Sequence, residues 1–536
     1  MAHQYHHTRS RDLSFAAIPD PLLAPRPFHT IVPHMKVLPL FSATLLASVV
    51  SASAVEHITI IGDSLSKEYE ITFPGIHVPP IIDIDGIDET NPGARNWAEI
   101  LHAKRNAHFD LGRYRKTLFS DMYSDTRLLG HEYNWAIPGA TARALRLLLT
   151  DPNSQELAND PEIGTLIGFA GEYKNVPERL TWQLQGLQGQ SSAAVIFCGG
   201  NDLRFGNTDP ATTWDNVKIR YQTIYQGDGL TGSSNPLPLM NSIRDSIQTI
   251  GQFIRTANPN LPIVVVAVPH VGAAPDVKAA FPNDPVRTQR ITSAVQALNN
   301  ELKTWTENTL GGAFVDIFPL TTELLSAPSA DIGCIPIANA SDTQPAGASA
   351  AAHNRFIFSR DGFHPITPFQ GRIAQSIQAK MREKWPAIFG TSLQINDREL
   401  VTEILTIPAR TGFDEFMAAS GAPAGLRGEY ADADGDGLTN IVEFALAGNN
   451  PWAGAAPALP APSFESGPVP SFKFTWMPSC ERNIFASIVC QQSSNLTAWT
   501  DVPAAQITEN LDGSLSARVP QAGGDVFLRL KITATP

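Results

Sequence analysis

Short apolar runs alternate along much of the chain with stretches in which apolar residues recur at helical spacing. Runs of this length, bounded by turn residues, are typical of buried strands. We place the strands at 58–61, 132–136, 193–198, 263–268 and 314–317. Because parallel strands need crossover connections, which are usually helices, the alternation predicts an α/β fold with a parallel sheet and helices on both faces. Five strands favour the flavodoxin-like order 2-1-3-4-5.

The helices between these strands are marked by apolar stripes. Four isoleucines within 243–254 form one stripe, and a second stripe over 291–305 ends at a Gly-Gly pair. The stretch 369–385 is typical of a last helix. Two long insertions, 68–90 and 320–359, interrupt the pattern. Loops of this length are usually functional or mobile, so these two could wall a substrate cleft.

The start of the chain carries the pattern of a secretory signal peptide. A charged start at Met35 precedes an apolar run over 37–50, and small residues ending at Ala54 follow. We therefore expect 35–54 to be a cleaved signal, Met35 to be the true start, and the protein to be secreted or periplasmic. The alternative is a signal with a long leading segment. Residues 1–34 are expected to be a non-native or disordered extension.

The strand–helix alternation ends near residue 389, so the main domain is expected over 55–389. Residues 390–455 have in part the Pro- and Ala-rich composition of a linker. In 456–536 apolar and polar residues alternate, as they do around Phe474, and an Asp-Gly pair marks a hairpin turn. This pattern predicts a small C-terminal β-sandwich-like domain.

Composition and charge narrow the possible partners. The formal net charge is −13, which argues against nucleic acid and anionic membrane. No apolar segment follows the last strands, so we expect no membrane anchor. Four cysteines do not make a disulfide scaffold, although Cys480 and Cys490 are close enough in sequence to bridge a hairpin. Cys198, in an apolar run, is expected to be a buried thiol.

Polar residues follow three of the predicted strands. Ser64 follows the first strand, Gly139 the second and Asn201 the third, while Asp361 and His364 stand just before the last helix. In a sheet ordered 2-1-3 these strands are neighbours, and their carboxyl ends share one crevice. Taken singly, each residue has an ordinary structural interpretation, such as a helix cap, a turn or a surface histidine.

Together these residues predict acyl transfer. A serine hydroxyl is a poor nucleophile at neutral pH, so Ser64 needs a base within hydrogen-bond reach, and His364 fits. Asp361 can hold the imidazole and stabilise the imidazolium that forms. The backbone N–H groups of Ser64 and Gly139 and the side-chain amide of Asn201 would form the oxyanion hole.

These blocks resemble the SGNH/GDSL hydrolases, which are named for Ser, Gly, Asn and His in four blocks. The resemblance spans about 55–389 and implies a flavodoxin-like fold and ester hydrolysis without a metal. Ser66 stands where the second glycine of a Gly-x-Ser-x-Gly elbow would be, which argues against the ordinary α/β-hydrolase fold. His270 follows the fourth strand and could line the cleft, but we expect a solvated loop histidine there.

A second motif lies at 432–443. Its acidic and polar residues fall at the spacing of calcium ligands in an EF-hand loop, with Gly437 at the sharp turn. The predicted ligands are Asp432, Asp434, Asp436, Leu438 through its carbonyl, Asn440 and Glu443. The loop also resembles those of dockerins and thrombospondin type repeats, which implies a structural Ca²⁺ between two domains. The alternative is an acidic, solvated turn.

The sequence therefore predicts a secreted carboxylic-ester hydrolase. Its expected substrates are short-chain esters, acetyl above all, on a carbohydrate such as an acetylated polysaccharide. One alternative is a lipase or general acylhydrolase, for which 320–359 offers no amphipathic lid. Another is a non-catalytic protein that binds glycan or a cell surface through its β-rich tail. No cofactor is expected for catalysis.

Overall fold

The structure is a computed structural model, and it describes most of the chain from Val55 onward. The described residues are 55–69, 93–115, 130–158, 176–186, 191–203, 238–281, 284–333, 335–345, 347–408, 411–446, 452, 462–466, 468–478, 486–510, 514–521 and 524–534. The predicted signal peptide and most of the insertion at 68–90 lie outside them. Within the described residues, no helix is long and apolar enough to cross a membrane.

The strands are numbered in chain order over the described residues. They are β1 His57–Gly62, β2 Tyr114–Arg115, β3 Gly130–His131, β4 Ser191–Phe197, β5 Ile263–Val266, β6 Ala313–Val315, β7 Ser329–Ile332, β8 Ile335–Ser341, β9 Phe356–Phe358, β10 Pro462–Glu465, β11 Ser471–Trp476, β12 Ala486–Ser493, β13 Thr500–Asp501, β14 Ile507–Glu509, β15 Leu515–Pro520 and β16 Phe527–Ala534. The central sheet has the order β1-β4-β5-β6, and every pairing in it is parallel.

The predicted second strand lies beside β1. Ile60 donates its backbone N–H to the carbonyl of Tyr133 at 2.9 Å, and Trp135 donates to the carbonyl of Ile60 at 2.8 Å. This segment forms an isolated parallel bridge rather than a continuous strand, because Asn134 turns its own N–H back to His131. The predicted order 2-1-3-4-5 is confirmed.

The α-helices of the described residues cover the sheet and extend beyond it. They are α1 Trp97–Arg105, α2 Ala142–Thr150, α3 Gln155–Ala158, α4 Val176–Leu184, α5 Gly200–Leu203, α6 Pro238–Ala257, α7 Pro275–Ala280, α8 Pro285–Trp305, α9 Phe318–Glu323, α10 Ala350–His353, α11 Thr367–Lys384, α12 Pro386–Phe389, α13 Asp397–Glu399, α14 Thr411–Ala419 and α15 Asn440–Ala445. The isoleucine stripe of α6 and the apolar stripe of α8 are buried, as their spacing predicts.

The insertion at 320–359 is folded rather than open. β7 and β8 form an antiparallel hairpin, and β9 pairs parallel to β8. Ile332, Ile335 and Ile337 of this small sheet are buried in the main core cluster. The insertion is therefore held against the end of the main sheet, where it helps to wall the site described below.

Residues of 390–455 also join the main core. Ile395, Leu400, Phe413 and Phe444 are buried in the same cluster as the central strands. Apolar side chains packed in this way stabilise the attachment of the segment to the α/β domain, at about 25 cal/mol for each Å² of apolar surface removed from water. The domain boundaries at 389 and 455 stay a prediction.

The tail forms two antiparallel sheets, ordered β10-β11-β15-β14 and β13-β12-β16. Side chains from both sheets, including Phe474, Trp476, Cys490 and Val519, share one cluster. The predicted β-sandwich-like domain is confirmed. Cys490 is a free thiol whose pKa burial raises to about 11, whereas Cys480 lies outside the described residues.

Candidate active site

The nucleophile segment is a tight turn at the carboxyl end of β1. Gly62 ends the strand where a Cβ atom would lie 2.8 Å from the carbonyl oxygen of Phe197, so no larger residue fits there. Asp63 Oδ1 accepts the N–H of Leu65 at 3.0 Å, and the Asp63 carbonyl accepts that of Lys67 at 3.1 Å. Residues 64–69 continue as turns and form no helix.

Ser64 faces His364 across this turn. Ser64 Oγ lies 2.8 Å from His364 Nε2, within hydrogen-bond reach, and both side chains are buried. The two residues are separated by 300 positions. Because α11 begins just after His364, the structure brings the end of β1 and the start of the last long helix together.

Asp361 completes the chain of hydrogen bonds. Its Oδ2 accepts from His364 Nδ1, and its Oδ1 accepts the backbone N–H groups of Phe363 at 2.8 Å and His364 at 3.0 Å, together with the hydroxyl of Ser359. Burial alone would raise the pKa of Asp361. The hydrogen bond and charge of His364, followed by the Ser359 and Phe363 hydrogen bonds, hold that pKa below its usual range.

A buried network fixes the distance between the nucleophile turn and the histidine. Gln370, in the first turns of α11, donates to the Tyr69 hydroxyl at 2.9 Å, and that hydroxyl donates to the Pro365 carbonyl at 3.0 Å. The carbonyl oxygen of the Gln370 side chain accepts the N–H of Trp97 at 3.2 Å. The Trp97 indole N–H in turn reaches Ser66 Oγ at 3.1 Å. Rigid support of this kind is what a pre-organised site needs.

Gly139 lies in the loop after the segment that pairs with β1, and Asn201 lies at the start of α5, after β4. Gly139 has a φ of 72°, a left-handed conformation that glycine adopts without strain. Asn201 donates one side-chain N–H to the Ala140 carbonyl at 3.2 Å, which ties the two loops together. Over the part of the chain that the structure describes, the backbone N–H groups of Ser64 and Gly139 donate to no protein acceptor. Their role in an oxyanion hole stays a prediction.

Two acidic side chains lie behind the nucleophile. Asp202 Oδ2 accepts the N–H of Ala142 at 2.8 Å, at the start of α2. Asp63 is 1% exposed, and burial, followed by the charge of Asp202, raises its pKa to about 7. Within the described residues Asp63 Oδ2 has no hydrogen-bond partner. Asp63 therefore holds the turn through Oδ1. Burial of the carboxyl group, whose Oδ2 has no partner, disfavours its ionised form.

A largely apolar cavity adjoins Ser64 and Asn201 and extends along the ends of β4, β5 and β6. The centres of water molecules can occupy about 50 Å³ of it. Apolar side chains on its walls include Phe197, Pro269, Val271, Ile317, Phe358 and Phe369. Sequence reasoning missed this cavity, because its walls come from segments that are distant from one another in the chain.

His270 lies on the wall of this cavity and is not a solvated loop residue as expected. It is 1% exposed, and burial lowers its pKa to about 4, so the imidazole is neutral at physiological pH. Its Nε2 lies 3.1 Å from Thr292 Oγ1, and its backbone N–H donates to Thr321 Oγ1 at 3.0 Å. The ring also packs near Phe318, with 5.9 Å between the ring centres.

The predicted calcium ligands are not among the described residues that line this cavity. The carboxylate oxygens of Asp432, Asp434 and Asp436 fall within 4.8 Å of one another. Glu443 is 2% exposed, and burial, followed by the charges of the three aspartates, raises its pKa to about 7. Its Oε2 has no hydrogen-bond partner among the described residues. The three clustered aspartates, together with the buried Glu443 carboxylate that their charges influence, fit the oxygen-rich shell that Ca²⁺ prefers.

Two other predicted ligands of this loop make hydrogen bonds through their N–H groups. Leu438 follows the sharp turn, and its N–H donates to Asp436 Oδ1 at 2.8 Å. The side-chain NH₂ of Asn440 donates to the carbonyls of Leu426 and Gly428, at 2.8 and 2.7 Å. Its side-chain oxygen has no hydrogen-bond partner among the described residues, and its role as a ligand stays a prediction.

Comparison with known proteins adds little to this geometry. No family description and no curated protein matches the chain. Among solved structures, an extracellular lipase from Streptomyces rimosus is 12% identical, with a TM-score of 0.26, over 60% of this chain and 100% of its own. A GDSL-like lipase from Parabacteroides merdae is 13% identical, with a TM-score of 0.25, over 63% of this chain and 97% of its own. Similarity this low carries no argument, so function is argued from the site.

Proposed function

We propose that this protein hydrolyses carboxylic esters, with Ser64 as nucleophile, His364 as general base and Asp361 as the group that orients it. One observation carries the proposal: Ser64, His364 and Asp361 form a continuous hydrogen-bonded chain at the carboxyl edge of the sheet. A protein that only binds glycan has no need of this arrangement. The described site needs no metal or cofactor for the steps below.

In the first step Ser64 Oγ attacks the ester carbonyl carbon while its proton passes to His364 Nε2. The carbonyl electron pair moves onto oxygen, and the N–H groups of Ser64 and Gly139 and the amide of Asn201 stabilise that oxyanion. The electron pair then returns, the alcohol leaves with the proton from His364, and an acyl-enzyme remains. Water attacks the acyl-enzyme, gives its proton to His364, and the acid departs as Ser64 recovers its proton.

The expected substrates are short-chain esters, acetyl among them, on a carbohydrate alcohol. A buried water needs roughly 10–15 Å³ of such space, so the cavity has room for an acyl group of only a few carbons. Because the cavity is small, kcat/KM should stay flat or fall from acetyl to octanoyl, whereas a deep apolar pocket would add about 0.8 kcal/mol for each methylene. A lipase would instead gain steadily toward long chains. A polymeric alcohol would stay outside this cavity.

The test is a pair of variants made in the mature chain. Ser64→Ala should lower kcat on 4-nitrophenyl acetate by several orders of magnitude and abolish labelling by a fluorophosphonate probe. Ser376→Ala, on α11, removes a hydroxyl that only bonds within its own helix and serves as the control. Labelling of the Ser64→Ala protein at another serine would overturn the assignment.

We further propose that 432–443 binds one Ca²⁺ that stabilises the fold and takes no part in catalysis. The support is the cluster of the Asp432, Asp434 and Asp436 carboxylates, together with the buried Glu443 carboxylate that their charges influence. Secretion is also proposed, from the signal pattern at 35–54. N-terminal sequencing of protein from its native host should find Val55 first, and an intact 37–50 segment would contradict it.

A further inference from the structure

A buried serine lies at the start of the loop that carries Asp361 and His364. Ser359 directly follows β9 and is 3% exposed. Its hydroxyl contacts Asp361 Oδ1, and it has no other hydrogen-bond partner among the described residues. The same Asp361 oxygen accepts the backbone N–H groups of Phe363 and His364. Three hydrogen bonds therefore converge on one carboxylate oxygen.

The direction of the hydrogen bond between Ser359 and Asp361 follows from the state of the carboxylate. Burial opposes ionisation of Asp361, yet the hydrogen bond and charge of His364, followed by the Ser359 hydrogen bond, hold its pKa below its usual range. An ionised carboxylate oxygen only accepts, so the shared proton belongs to Ser359 Oγ. Since this hydroxyl has one proton and one partner in the described part of the chain, the donor and the acceptor are both assigned.

The backbone closes this loop without the Ser359 hydroxyl. The N–H of Ser359 donates to the His364 carbonyl at 2.8 Å, and the Ser359 carbonyl accepts the N–H of Gly362 at 3.0 Å. From outside the loop, the N–H of Asp276, in α7, donates to the Gly362 carbonyl at 3.0 Å. Removal of the hydroxyl therefore leaves these backbone contacts in place and acts first on the Asp361 carboxylate.

The donors on Asp361 Oδ1 determine where the other carboxylate oxygen points. The two oxygens turn together, so the groups that hold Oδ1 also aim Oδ2 at His364 Nδ1. When Ser64 gives its proton to His364 Nε2, an ionised and correctly turned Asp361 stabilises the imidazolium. A hydrogen bond donated to a carboxylate is strong and favours the ionised form. Ser359 thus supplies one of three fixed donors that prepare Asp361 for this step.

We propose that Ser359 is a positioning residue for ester hydrolysis and that it acts on His364 through Asp361. The inference rests on the proposed function and adds a residue to its machinery. Ser359 is not among the described residues that line the cavity beside Ser64, so its effect is on the base rather than on the acyl group. Loss of its hydroxyl should therefore reduce catalysis only where the Asp361 carboxylate is present to receive the hydrogen bond.

The test is a double-mutant cycle on 4-nitrophenyl acetate, with the rate of Ser64→Ala subtracted as background. Ser359→Ala should lower kcat by about 10- to 100-fold, the range for one hydrogen bond to a charged group, and leave KM nearly unchanged. In Asp361→Ala, which lacks the acceptor, the same replacement should change kcat by less than about twofold.

Ser341→Ala is the matched control, and it should leave kcat unchanged. Ser341 Oγ lies beside the same loop, 3.0 Å from where a Cβ atom at Gly362 would be, and it makes no hydrogen bond to Asp361. Ser359→Cys keeps the size of the side chain but donates weakly, so its kcat should fall nearly as far as that of Ser359→Ala. Each kcat is divided by the folded fraction from circular dichroism. Equal losses in both backgrounds, or a fully active Ser359→Cys protein, would show that the hydroxyl does not act through Asp361.

A spectroscopic readout separates this inference from the proposed function. The proton that His364 Nδ1 shares with Asp361 should give a downfield NMR resonance, assigned by its loss in Asp361→Ala. Ser359→Ala should shift this resonance, and Ser341→Ala should not. If the unmodified protein hydrolyses no ester while the resonance responds to Ser359→Ala, the proposed function is wrong and the action of Ser359 on Asp361 stands. If esters are hydrolysed and neither kcat nor the resonance responds, ester hydrolysis stands and the role of Ser359 is refuted.

Discussion

Replacing Asp361 with asparagine tests the proposed proton transfer most directly. Asp361 Oδ1 accepts the backbone N–H groups of Phe363 and His364, at 2.8 and 3.0 Å, while Oδ2 faces His364 Nδ1. In Asp361→Asn the amide oxygen must keep the first position, because a backbone N–H cannot donate to an NH₂ group. The NH₂ group then points at His364 Nδ1, and that nitrogen must accept.

The neutral imidazole would then carry its proton on Nε2, the atom that lies 2.8 Å from Ser64 Oγ. A nitrogen that already holds a proton cannot take one from Ser64, so the base is lost although the geometry is kept. The same change in a serine-protease triad costs about 10⁴-fold in kcat. We expect a loss of about 10³- to 10⁴-fold, or about 4 to 5.5 kcal/mol of activation free energy.

The assay is kcat for 4-nitrophenyl acetate, measured beside the melting temperature. A matched control exists, because Asp342 and His353 form a second buried pair, with 2.6 Å between Oδ2 and Nδ1. Asp342→Asn should lower stability and leave kcat largely unchanged. An Asp361→Asn protein that is folded and within tenfold of the unmodified kcat would refute the reasoning.

Two further predictions concern stability. Burial raises the pKa of Asp63 from 3.8 to about 7, so the folded chain holds this proton more tightly than the unfolded chain. Its contribution to stability should be complete below about pH 4 and lost as the pH rises through about 7, and Asp63→Asn should flatten that slope in urea titrations at several pH values. A slope unchanged in Asp63→Asn would contradict this. Calcium at 100 times its Kd should stabilise the fold by about 2.7 kcal/mol. Glu443→Gln should weaken calcium uptake in calorimetry, whereas Glu383→Gln, an exposed acid on α11, should not. Chelation should leave ester hydrolysis intact, and a loss of activity would connect the loop to catalysis.

The sequence predicts the parts of this protein that depend on local patterns. The strands of the central sheet carry continuous apolar runs, and the stripe of α6 has helical spacing, so both can be read without a structure. Ser64, Asp361 and His364 are also found this way, since each follows a strand end or precedes a helix at a short, fixed spacing. The topology then brings their segments together.

What could not be predicted depends on contacts between distant segments. His270 looks like a loop histidine in sequence, and its burial comes from Thr292 on α8 and from Phe318 and Thr321 on α9. The side-chain NH₂ of Asn440 donates to two carbonyls of an earlier turn, and the calcium spacing does not predict these contacts. Neither partner set has a spacing that a single sequence reveals.

The buried network around Gln370 explains why Ser64 and His364 can meet although they are far apart in the chain. Ser64 and His364 are separated by 300 positions in the chain. Contacts between their two segments must therefore set the 2.8 Å distance between Ser64 Oγ and His364 Nε2. Gln370 lies in the first turn of α11, which begins three residues after His364, and its NH₂ donates to the Tyr69 hydroxyl at 2.9 Å, at the far end of the nucleophile turn. The Tyr69 hydroxyl also donates to the carbonyl of Pro365, next to the histidine. The buried Tyr69 side chain, held by Gln370, therefore connects the nucleophile turn to the histidine segment. Disorder in that side chain would therefore be transmitted to the base and to the nucleophile together, and would lower kcat without removing any group that touches substrate.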